Sequence, residues 1–137
     1  MSSCLRDVYH ISTELAGLVK VGGLADVVYG LSKKLLELKG KVKVILPYYS
    51  FLDKTSLTSA CKYQFDSNLL GQVTVYEALF ENIPLLLVQD HTEEDYFKRS
   101  SVYGESDDFD RFLWFTLACF ELLKTFKDPF MHKICIF

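Results

Sequence analysis

A lysine and two glycines stand together near the N-terminus, in the run Lys20-Val21-Gly22-Gly23-Leu24-Ala25-Asp26. A short apolar run precedes them and a long amphipathic run follows, which predicts a strand-to-helix turn. Glycine lets the backbone approach a ligand closely, and a helix start offers free N–H groups and a partial positive charge. The turn therefore suits a phosphate, to which Lys20 would add a full positive charge. The motif is neither Gly-x-Gly-x-x-Gly nor a Walker loop, so a plain Gly-Gly turn beside a solvent lysine is the alternative.

The elements that would position this turn form a strand-helix-strand unit. A first strand is predicted over residues 7–12, a helix from about Gly23 to Lys39, and a second strand from Val42 to Leu46, ended by Pro47. Such a unit predicts parallel strands. Gly40 is a natural helix stop, and Gly30 is expected to mark a close approach of the helix to the sheet. The predicted buried stripe of the helix consists of Leu24, Val27, Val28, Leu31, Leu35 and Leu38.

The rest of the chain alternates between strand and loop patterns before a second helix. Residues 48–60 form a polar connection, and residues 63–65 and 73–80 predict a hairpin broken at Gly71. Residues 83–88 are continuously apolar, as in a strand buried on both faces. After a charged loop, Ser106 is the expected N-cap of a helix reaching Phe126. Its predicted stripe is Phe109, Phe112, Leu113, Thr116, Phe120 and Leu123, widened by Trp114, Phe115, Leu117 and Ala118.

Composition restricts the class of protein. The chain has 137 residues, half of them hydrophobic, and a net charge of −3, which fits one folded α/β domain and gives no electrostatic case for nucleic acid or membrane partners. No apolar stretch approaches the ~20 residues of a membrane span, and no signal-peptide core is evident. The four cysteines have no C-x-x-C spacing, so they are expected to be reduced and mostly buried in a cytoplasmic setting: Cys4, Cys61, Cys119 and Cys135. No metal-ligand cluster is apparent, and no metal or cofactor is expected.

Several motifs occur in an order that resembles one enzyme family, the bacterial glycogen synthases and plant starch synthases. Their usual opening is Ser-x-Glu-x-x-Pro-x-x-Lys-Thr-Gly-Gly-Leu-Ala-Asp-Val, and here Ser12, Glu14 and the run from Lys20 to Val27 follow that spacing, with Gly17 at the usual proline and Val21 at the usual threonine. Further resemblance lies at Gly40, 42–49, 95–97, 103–104 and 107–112. The resemblance covers residues 7 to about 128 and is lost after about residue 130.

The resemblance implies a fold and a reaction. The fold would be a partial Rossmann-like, mostly parallel sheet with flanking helices, as in the N-terminal part of a GT-B glycosyltransferase. The reaction would be transfer of glucose from ADP-glucose to a (1→4)-α-glucan. Residues 1–137 would be a truncated N-terminal part of the catalytic domain, without the His-x-His-Asp-Trp motif and the second domain. A frameshift near residue 130 is the hypothesis for this truncation, and the DNA after codon 137 would test it.

The resemblance also assigns roles to residues. Lys20 would lie against the phosphates of the sugar donor, with Gly22 and Gly23 supplying backbone approach. Glu14 is a substrate-site candidate, with a solvated carboxylate or a Lys20 partner as alternatives. Val21 would cost about 0.5–1.5 kcal/mol of ligand binding through one lost hydrogen bond. No residue is assigned a catalytic role.

Five other residues receive mainly structural interpretations. Asp26 would complement the helix end. Tyr103 and Arg111 belong to the second group of matching motifs, which by resemblance would border the sugar-binding cleft. Arg111 is nevertheless expected to pair with Asp107 or Asp108 of its own helix. His10 is expected to be a satisfied core histidine, and His91 has no evident partner.

Two other functions stay open at this point. The chain could be a non-catalytic nucleotide-sugar or glucan-binding module, or a pseudogene product without a stable fold. Truncation is expected to expose an apolar patch around Trp114, Phe115 and Phe126, which would cause self-association. ADP-induced thermal stabilisation would favour a binding module.

Overall fold

A six-stranded sheet with two helices forms the structure, a computed structural model that describes residues 7–55, 57–126 and 132–137. In chain order the elements are β1 (Asp7–Ile11), α1 (Gly23–Glu37), β2 (Lys41–Pro47), β3 (Ser59–Ser67), β4 (Gly71–Phe80), β5 (Ile83–Asp90), α2 (Asp108–Lys124) and β6 (His132–Ile136). The order across the sheet is β3-β4-β5-β2-β1-β6. Residues 127–131, where the frameshift hypothesis is located, lie outside the described residues.

Parallel pairings hold one side of the sheet together. β1 pairs with β2, β2 with β5 and β1 with β6, all parallel, whereas β3–β4 and β4–β5 are antiparallel. The predicted α/β class, the mostly parallel sheet and the parallel β1–β2 pair are therefore confirmed. The apolar run predicted as a buried strand is β5, in which Leu85, Leu86, Leu87 and Val88 are fully buried. Strand β6 was not expected from the sequence.

Two hairpins build the antiparallel part. The predicted hairpin is confirmed as β3–β4, with longer strands than expected and Gly71 at the start of β4 in a left-handed conformation (φ +72°). A second hairpin joins β4 to β5 through Glu81 and Asn82, both of which have positive φ. Turns of this kind match the twist of the flanking strands and tolerate asparagine well. The β1–α1–β2 unit, which carries the lysine and glycine motif, lies on the other, parallel side of the sheet.

Helix α1 buries a different face from the predicted stripe. Its buried residues are Ala25, Val28 and Ser32, and the Ser32 hydroxyl hydrogen-bonds the His10 Nδ1 atom at 3.0 Å. Small side chains at these positions bring the helix close to the sheet, whereas three predicted core residues are exposed: Val27, Leu31 and Leu38. Gly30 is also exposed, and an added Cβ there would meet nothing within 4 Å. The expectation that Gly30 approaches the sheet closely is therefore wrong.

Helix α2 differs from the prediction at its start and in its exposed face. Asp107 is the N-cap and no side chain caps the helix, so the assignment of Ser106 is wrong. Trp114 and Phe115 are buried, and the indole Nε1 of Trp114 donates to the Leu70 carbonyl at 3.1 Å. Phe126 is half-buried and packs against the core, so the expected exposed patch around Trp114, Phe115 and Phe126 is wrong. The exposed apolar side chains of this helix are instead Phe109, Leu113 and Phe120.

The cysteines contradict one expectation. Cys119 is buried, and burial raises the pKa of its thiol, but Cys61 and Cys135 are exposed, so the expectation of mostly buried thiols is wrong. All three are free thiols, and Cys4 lies outside the described residues. Among the described residues, no helix is both long and apolar enough to cross a membrane.

Candidate functional site

The loop between β1 and α1 folds around one carboxylate. The Glu14 Oε1 atom accepts hydrogen bonds from the backbone N–H groups of Val21 at 2.6 Å and Gly22 at 2.9 Å. Between Glu14 and the glycine turn, Leu15 and Val19 pair in an isolated antiparallel β-bridge. Two consecutive amides of the glycine turn thus converge on a single oxygen. Such an arrangement of N–H groups before a helix start binds anions in general.

Glu14 also connects this loop to a distant part of the chain. Its Oε2 atom accepts a hydrogen bond at 2.7 Å from the hydroxyl of Tyr103, 89 residues away. That hydroxyl lies 2.6 Å from the Thr13 hydroxyl, and the Tyr49 hydroxyl donates to the Thr13 carbonyl at 2.9 Å. No sequence motif indicates these contacts, because each residue looks like an ordinary loop polar group when considered alone. Together they fix the glycine turn at the carboxyl end of β1.

These contacts change the acid–base properties of the network. Burial raises the pKa of Glu14, but hydrogen bonds from the Gly22 amide, the Tyr103 hydroxyl and the Val21 amide outweigh it and hold that pKa below its usual range. Burial, together with the adjacent Glu14 carboxylate, raises the pKa of Tyr103 to about 12. Glu14 is therefore charged and Tyr103 protonated at neutral pH, as the hydrogen bond between them requires.

Lys20 pairs with Asp26 rather than with Glu14. Its Nζ atom donates to both carboxylate oxygens of Asp26, at 3.0 and 2.8 Å, and the two side chains are 52% and 58% exposed. Asp26 lies in the first turn of α1, as predicted. Glu14 is only 3% exposed, so neither alternative for it, a solvated carboxylate or a Lys20 partner, is correct. Because the pair is exposed, the ammonium can turn towards a ligand at little cost.

The two glycines of the motif leave open space. Gly22, the N-cap of α1, has an extended backbone (φ −149°), and an added Cβ at either Gly22 or Gly23 would meet nothing within 4 Å. Neither glycine is therefore required by a left-handed turn or by internal packing. Lys20 and Tyr103 also line a cavity of about 490 Å³, with Phe51 on its wall. The space above the helix start is open to a ligand.

A third glycine in the loop is required by the backbone. Gly17 has φ +89°, and an added Cβ would lie 2.9 Å from the ring of Phe80. Any other residue would be strained there. Gly17 thus shapes the loop between Glu14 and Lys20.

Arg111, from the second motif, has a different role. Its guanidinium is fully buried, 2.7 Å from Asp108, and donates to the carbonyls of Tyr96 and Val102. Asp107 pairs instead with Arg99 at 2.9 Å. The structural interpretation of Arg111, a pair within its own helix, is therefore confirmed with Asp108 as the partner. Arg111 holds the loop before α2, which carries Tyr103.

The histidines have structural contacts. His10 is 2% exposed and hydrogen-bonded to Ser32, and burial lowers its pKa, so the prediction of a satisfied core histidine is confirmed. His91, for which no partner was foreseen, hydrogen-bonds the Thr74 hydroxyl at 2.8 Å. Across residues 7–55, 57–126 and 132–137, no group of three or more His, Cys, Asp or Glu side chains is placed to hold a metal ion.

Comparisons with known proteins agree on one family. Residues 7–134 match the family of the starch synthase catalytic domain. The chain is 36% identical over 122 residues to a probable chloroplastic/amyloplastic starch synthase 4 of Arabidopsis thaliana, covering 85% of this chain and 12% of that protein. It is 36% identical over 121 residues to a glycogen synthase of Protochlamydia amoebophila, covering 85% of this chain and 24% of that one.

A solved structure gives the same result. The catalytic domain of starch synthase IV from Arabidopsis thaliana, bound to ADP and acarbose, superimposes with a TM-score of 0.79 and 27% identity, covering 96% of this chain and 33% of that chain.

A glycogen synthase 2 of Methylococcus capsulatus is 35% identical over 128 residues, covering 88% of this chain and 26% of that one. The chain therefore spans between 12% and 26% of the length of these curated relatives.

Proposed function

Because the chain belongs to the family of starch synthase catalytic domains, we propose that it forms part of a glycosyltransferase that moves glucose from ADP-glucose to a (1→4)-α-glucan. Residues 1–137 would correspond to the N-terminal part of the catalytic domain. The ligands named for the Arabidopsis structure, ADP and acarbose, are a nucleotide and a carbohydrate, and they support this pair of substrates. In a bacterium the activity would lie in the cytoplasm, and in a plant it would lie in the plastid.

One observation carries the proposal: the start of α1 at Gly22 and Gly23 faces open space beside the exposed Lys20–Asp26 pair. The amides of Val21 and Gly22 are held by Glu14, which fixes the turn below that space. The diphosphate would lie above Gly22 and Gly23, close to the positive end of α1. Lys20 would leave Asp26 and add a charge-assisted contact. Glu14 would serve the site by holding both the turn and Tyr103 in place.

A titration of ADP against the chain tests the binding site. Lys20→Ala should weaken ADP binding by about 1.5–3 kcal/mol, the value of a hydrogen bond to a charged group. Lys34→Ala is the matched control, because Lys34 also forms an exposed ion pair on α1, with Glu37 at 3.3 Å. Asp26→Asn should leave ADP binding unchanged or strengthen it by under about 1 kcal/mol, since it frees Lys20. Equal losses for Lys20→Ala and Lys34→Ala would remove Lys20 from the site.

Catalysis requires a separate measurement. Transfer needs groups at both the diphosphate and the reacting sugar carbon, and the proposed site supplies only the first. The purified chain alone should therefore show no glucose incorporation from ADP-glucose into glycogen above a no-enzyme control. Incorporation that persists after removal of host synthase would contradict this. ADP binding without incorporation is also what a non-catalytic nucleotide-sugar-binding module would show.

We also propose self-association of the isolated chain. The apolar face of α2 formed by Phe109, Leu113 and Phe120 is exposed, and Phe109 is 79% exposed. Exposed aromatic and aliphatic side chains at helical spacing favour association with another apolar surface. Light scattering at rising concentration measures this, and Leu113→Lys should reduce the apparent mass.

A further inference from the structure

The side of α1 that faces away from the sheet carries exposed apolar side chains. Val27, Leu31 and Leu38 are all exposed, whereas Ala25 and Val28 of the same helix are buried against the sheet. Together with exposed Lys34, these three recur at intervals of four, three and four residues, which places them along one line on the helix surface. We call Val27, Leu31, Lys34 and Leu38 the α1 stripe. The helix is therefore apolar on two sides, and only one of them meets the sheet.

Helix α2 has an exposed apolar line with the same spacing. Phe109, Leu113 and Phe120 are exposed, and Thr116 is half-buried between them. The intervals are again four, three and four residues, and we call these four residues the α2 stripe. Intervals of three and four residues are those at which apolar side chains meet between two packed helices. Both stripes therefore suit contact with another helix.

The two stripes lie on opposite faces of the sheet. His10 of β1 hydrogen-bonds Ser32 of α1 at 3.0 Å, whereas the ring of its neighbour Tyr9 stacks on that of Phe126, just after α2, with centroids 4.9 Å apart. Adjacent residues of a strand point to opposite faces, so α1 covers one face and α2 covers the other. A single chain therefore cannot bring its own stripes together, but two copies of the chain can.

Antiparallel packing brings the two stripes into register. Because their intervals are equal, Leu38 of one copy would lie opposite Phe109 of the other, and Val27 opposite Phe120. Each of these pairs joins an aliphatic side chain with an aromatic ring, and both members of each pair are exposed in the single chain. The contact would thus remove apolar surface from water at both ends of the stripes.

Charge also favours the antiparallel direction. Three exposed lysines stand around the end of α1: Lys34, Lys39 and Lys41. They outnumber Glu37, the carboxylate in the same segment, whereas Asp110 is exposed in the first turn of α2. Antiparallel packing brings these opposite charges to the same end of the contact and opposes the two helix dipoles favourably. Parallel packing would instead place Asp110 beside Asp26, in the first turn of α1.

From these observations we propose that the α2 stripe of one copy of this chain packs against the α1 stripe of the next copy. The proposal names the partner surface for the self-association proposed above, on which it rests. A contact between two different surfaces does not close by twofold symmetry, so it produces rings or open chains of copies. It also covers both stripes with one kind of contact, which a symmetric contact between two α2 stripes would not do.

Two blocked variants test the contact by sedimentation velocity. Leu31→Glu places a carboxylate in the α1 stripe, and Leu113→Lys places an ammonium group in the α2 stripe, opposite Lys34 of the other copy. Each variant alone should associate about tenfold more weakly than the wild type, or weaker still, because the contact would bury a charge without a partner. Leu79→Glu makes the same kind of change at an exposed position on β4 and should associate like the wild type.

Mixing the two blocked variants is the decisive measurement. Leu31→Glu keeps an intact α2 stripe, and Leu113→Lys keeps an intact α1 stripe. An equimolar mixture should therefore regain association that neither variant shows alone. A mixture that stays monomeric would overturn the proposal. Circular dichroism checks that each variant is folded.

The outcomes separate this pairing from self-association in general. If Leu31→Glu associates as strongly as the wild type while Leu113→Lys does not, self-association through α2 stands and its pairing with α1 fails. If the wild type stays monomeric as its concentration rises, both fail. The ADP titration described above tests the nucleotide site independently of either result.

Discussion

Lys20 and Arg111 each pair with a carboxylate in the first turn of a helix, but their surroundings differ. The Lys20–Asp26 pair is 2.8 Å long, and both side chains are more than half exposed. The Arg111–Asp108 pair is 2.7 Å long, and the arginine is fully buried. Lys20 has one carboxylate partner, whereas Arg111 also donates to backbone carbonyls of the loop before α2. The spacing also differs, since six residues separate Lys20 from Asp26 and three separate Asp108 from Arg111.

This difference separates a cation that can exchange partners from one that cannot. An exposed pair contributes at most about 1 kcal/mol, so a ligand can replace Asp26 without unfolding anything. A buried guanidinium with several acceptors leaves unpaired groups when it is removed, which costs far more. Lys20 therefore suits binding and Arg111 suits the support of a loop, and four substitutions test that division.

The largest effect is expected at Arg111. Arg111→Met should lower the free energy of unfolding by about 3–5 kcal/mol, because Asp108 and the carbonyls of Tyr96 and Val102 would lose their donor. Urea denaturation of wild type and variant measures this. Lys124→Met, at an exposed ion pair of the same helix, is the control and should change stability little. A loss below about 1 kcal/mol at Arg111 would show that burial does not separate the two pairs.

Glu14 should give the next largest effect. Glu14→Gln removes the charge from a group that accepts three hydrogen bonds, and should cost about 1–3 kcal/mol of stability. The pKa of Glu14 is lowered in the folded state, so its contribution is present above the ordinary glutamate pKa and is lost as the pH falls through the lowered value. The wild type should therefore lose more stability than Glu14→Gln on acidification. Parallel pH profiles from denaturant titrations would refute this.

Gly30 lies on α1, the helix that carries Asp26. A substitution there can stabilise α1 without changing the Lys20–Asp26 pair. Gly30→Ala should raise the free energy of unfolding by about 1 kcal/mol, because the position is exposed and a methyl group meets no neighbour. ADP binding should stay unchanged, since Gly30 lies about two turns beyond the helix start at which the diphosphate is proposed to bind. Thermal unfolding followed by circular dichroism measures the gain. A loss of stability would contradict the open surroundings of Gly30.

Lys20 itself should have the smallest effect on stability. Lys20→Ala should change the free energy of unfolding by less than about 1 kcal/mol while weakening ADP binding. Arg111→Met should give the reverse result, with a larger effect on stability than on ADP binding. Measuring both quantities on both variants is therefore the sharpest form of the comparison. A loss of stability as large as that of Arg111→Met would place Lys20 among the structural cations.

Local patterns predicted much of the fold. The β1–α1–β2 unit, the β3–β4 hairpin and the buried β5 strand each have a signal within about ten residues, and so does the Arg111–Asp108 pair. Periodicity gave the spacing of apolar residues in both helices, but not which of two adjacent apolar faces meets the sheet. That choice depends on small residues such as Ala25 and Ser32 and on the side chains opposite them.

The candidate site was only partly predictable for the same reason. The Lys20 and glycine turn follows from a local motif, and Asp26 from its place in the first turn of α1. The hydrogen bond between Glu14 and Tyr103 joins residues 89 apart, and only the folded chain brings them together. The cavity lined by Lys20, Phe51 and Tyr103 likewise combines residues from three separate segments. No spacing rule connects such residues.

Gly17 and Phe80 are distant in sequence but constrain each other in the fold. The resembled synthases usually have proline there, but proline cannot adopt the φ of +89° that this loop uses, and the Phe80 ring occupies the space that any side chain would need. Proline at position 17 would thus require the loop to take another path and Phe80 to move or be replaced. Substitutions at positions 17 and 80 are therefore expected to be accepted or rejected together, so that the fitness of one depends on the other.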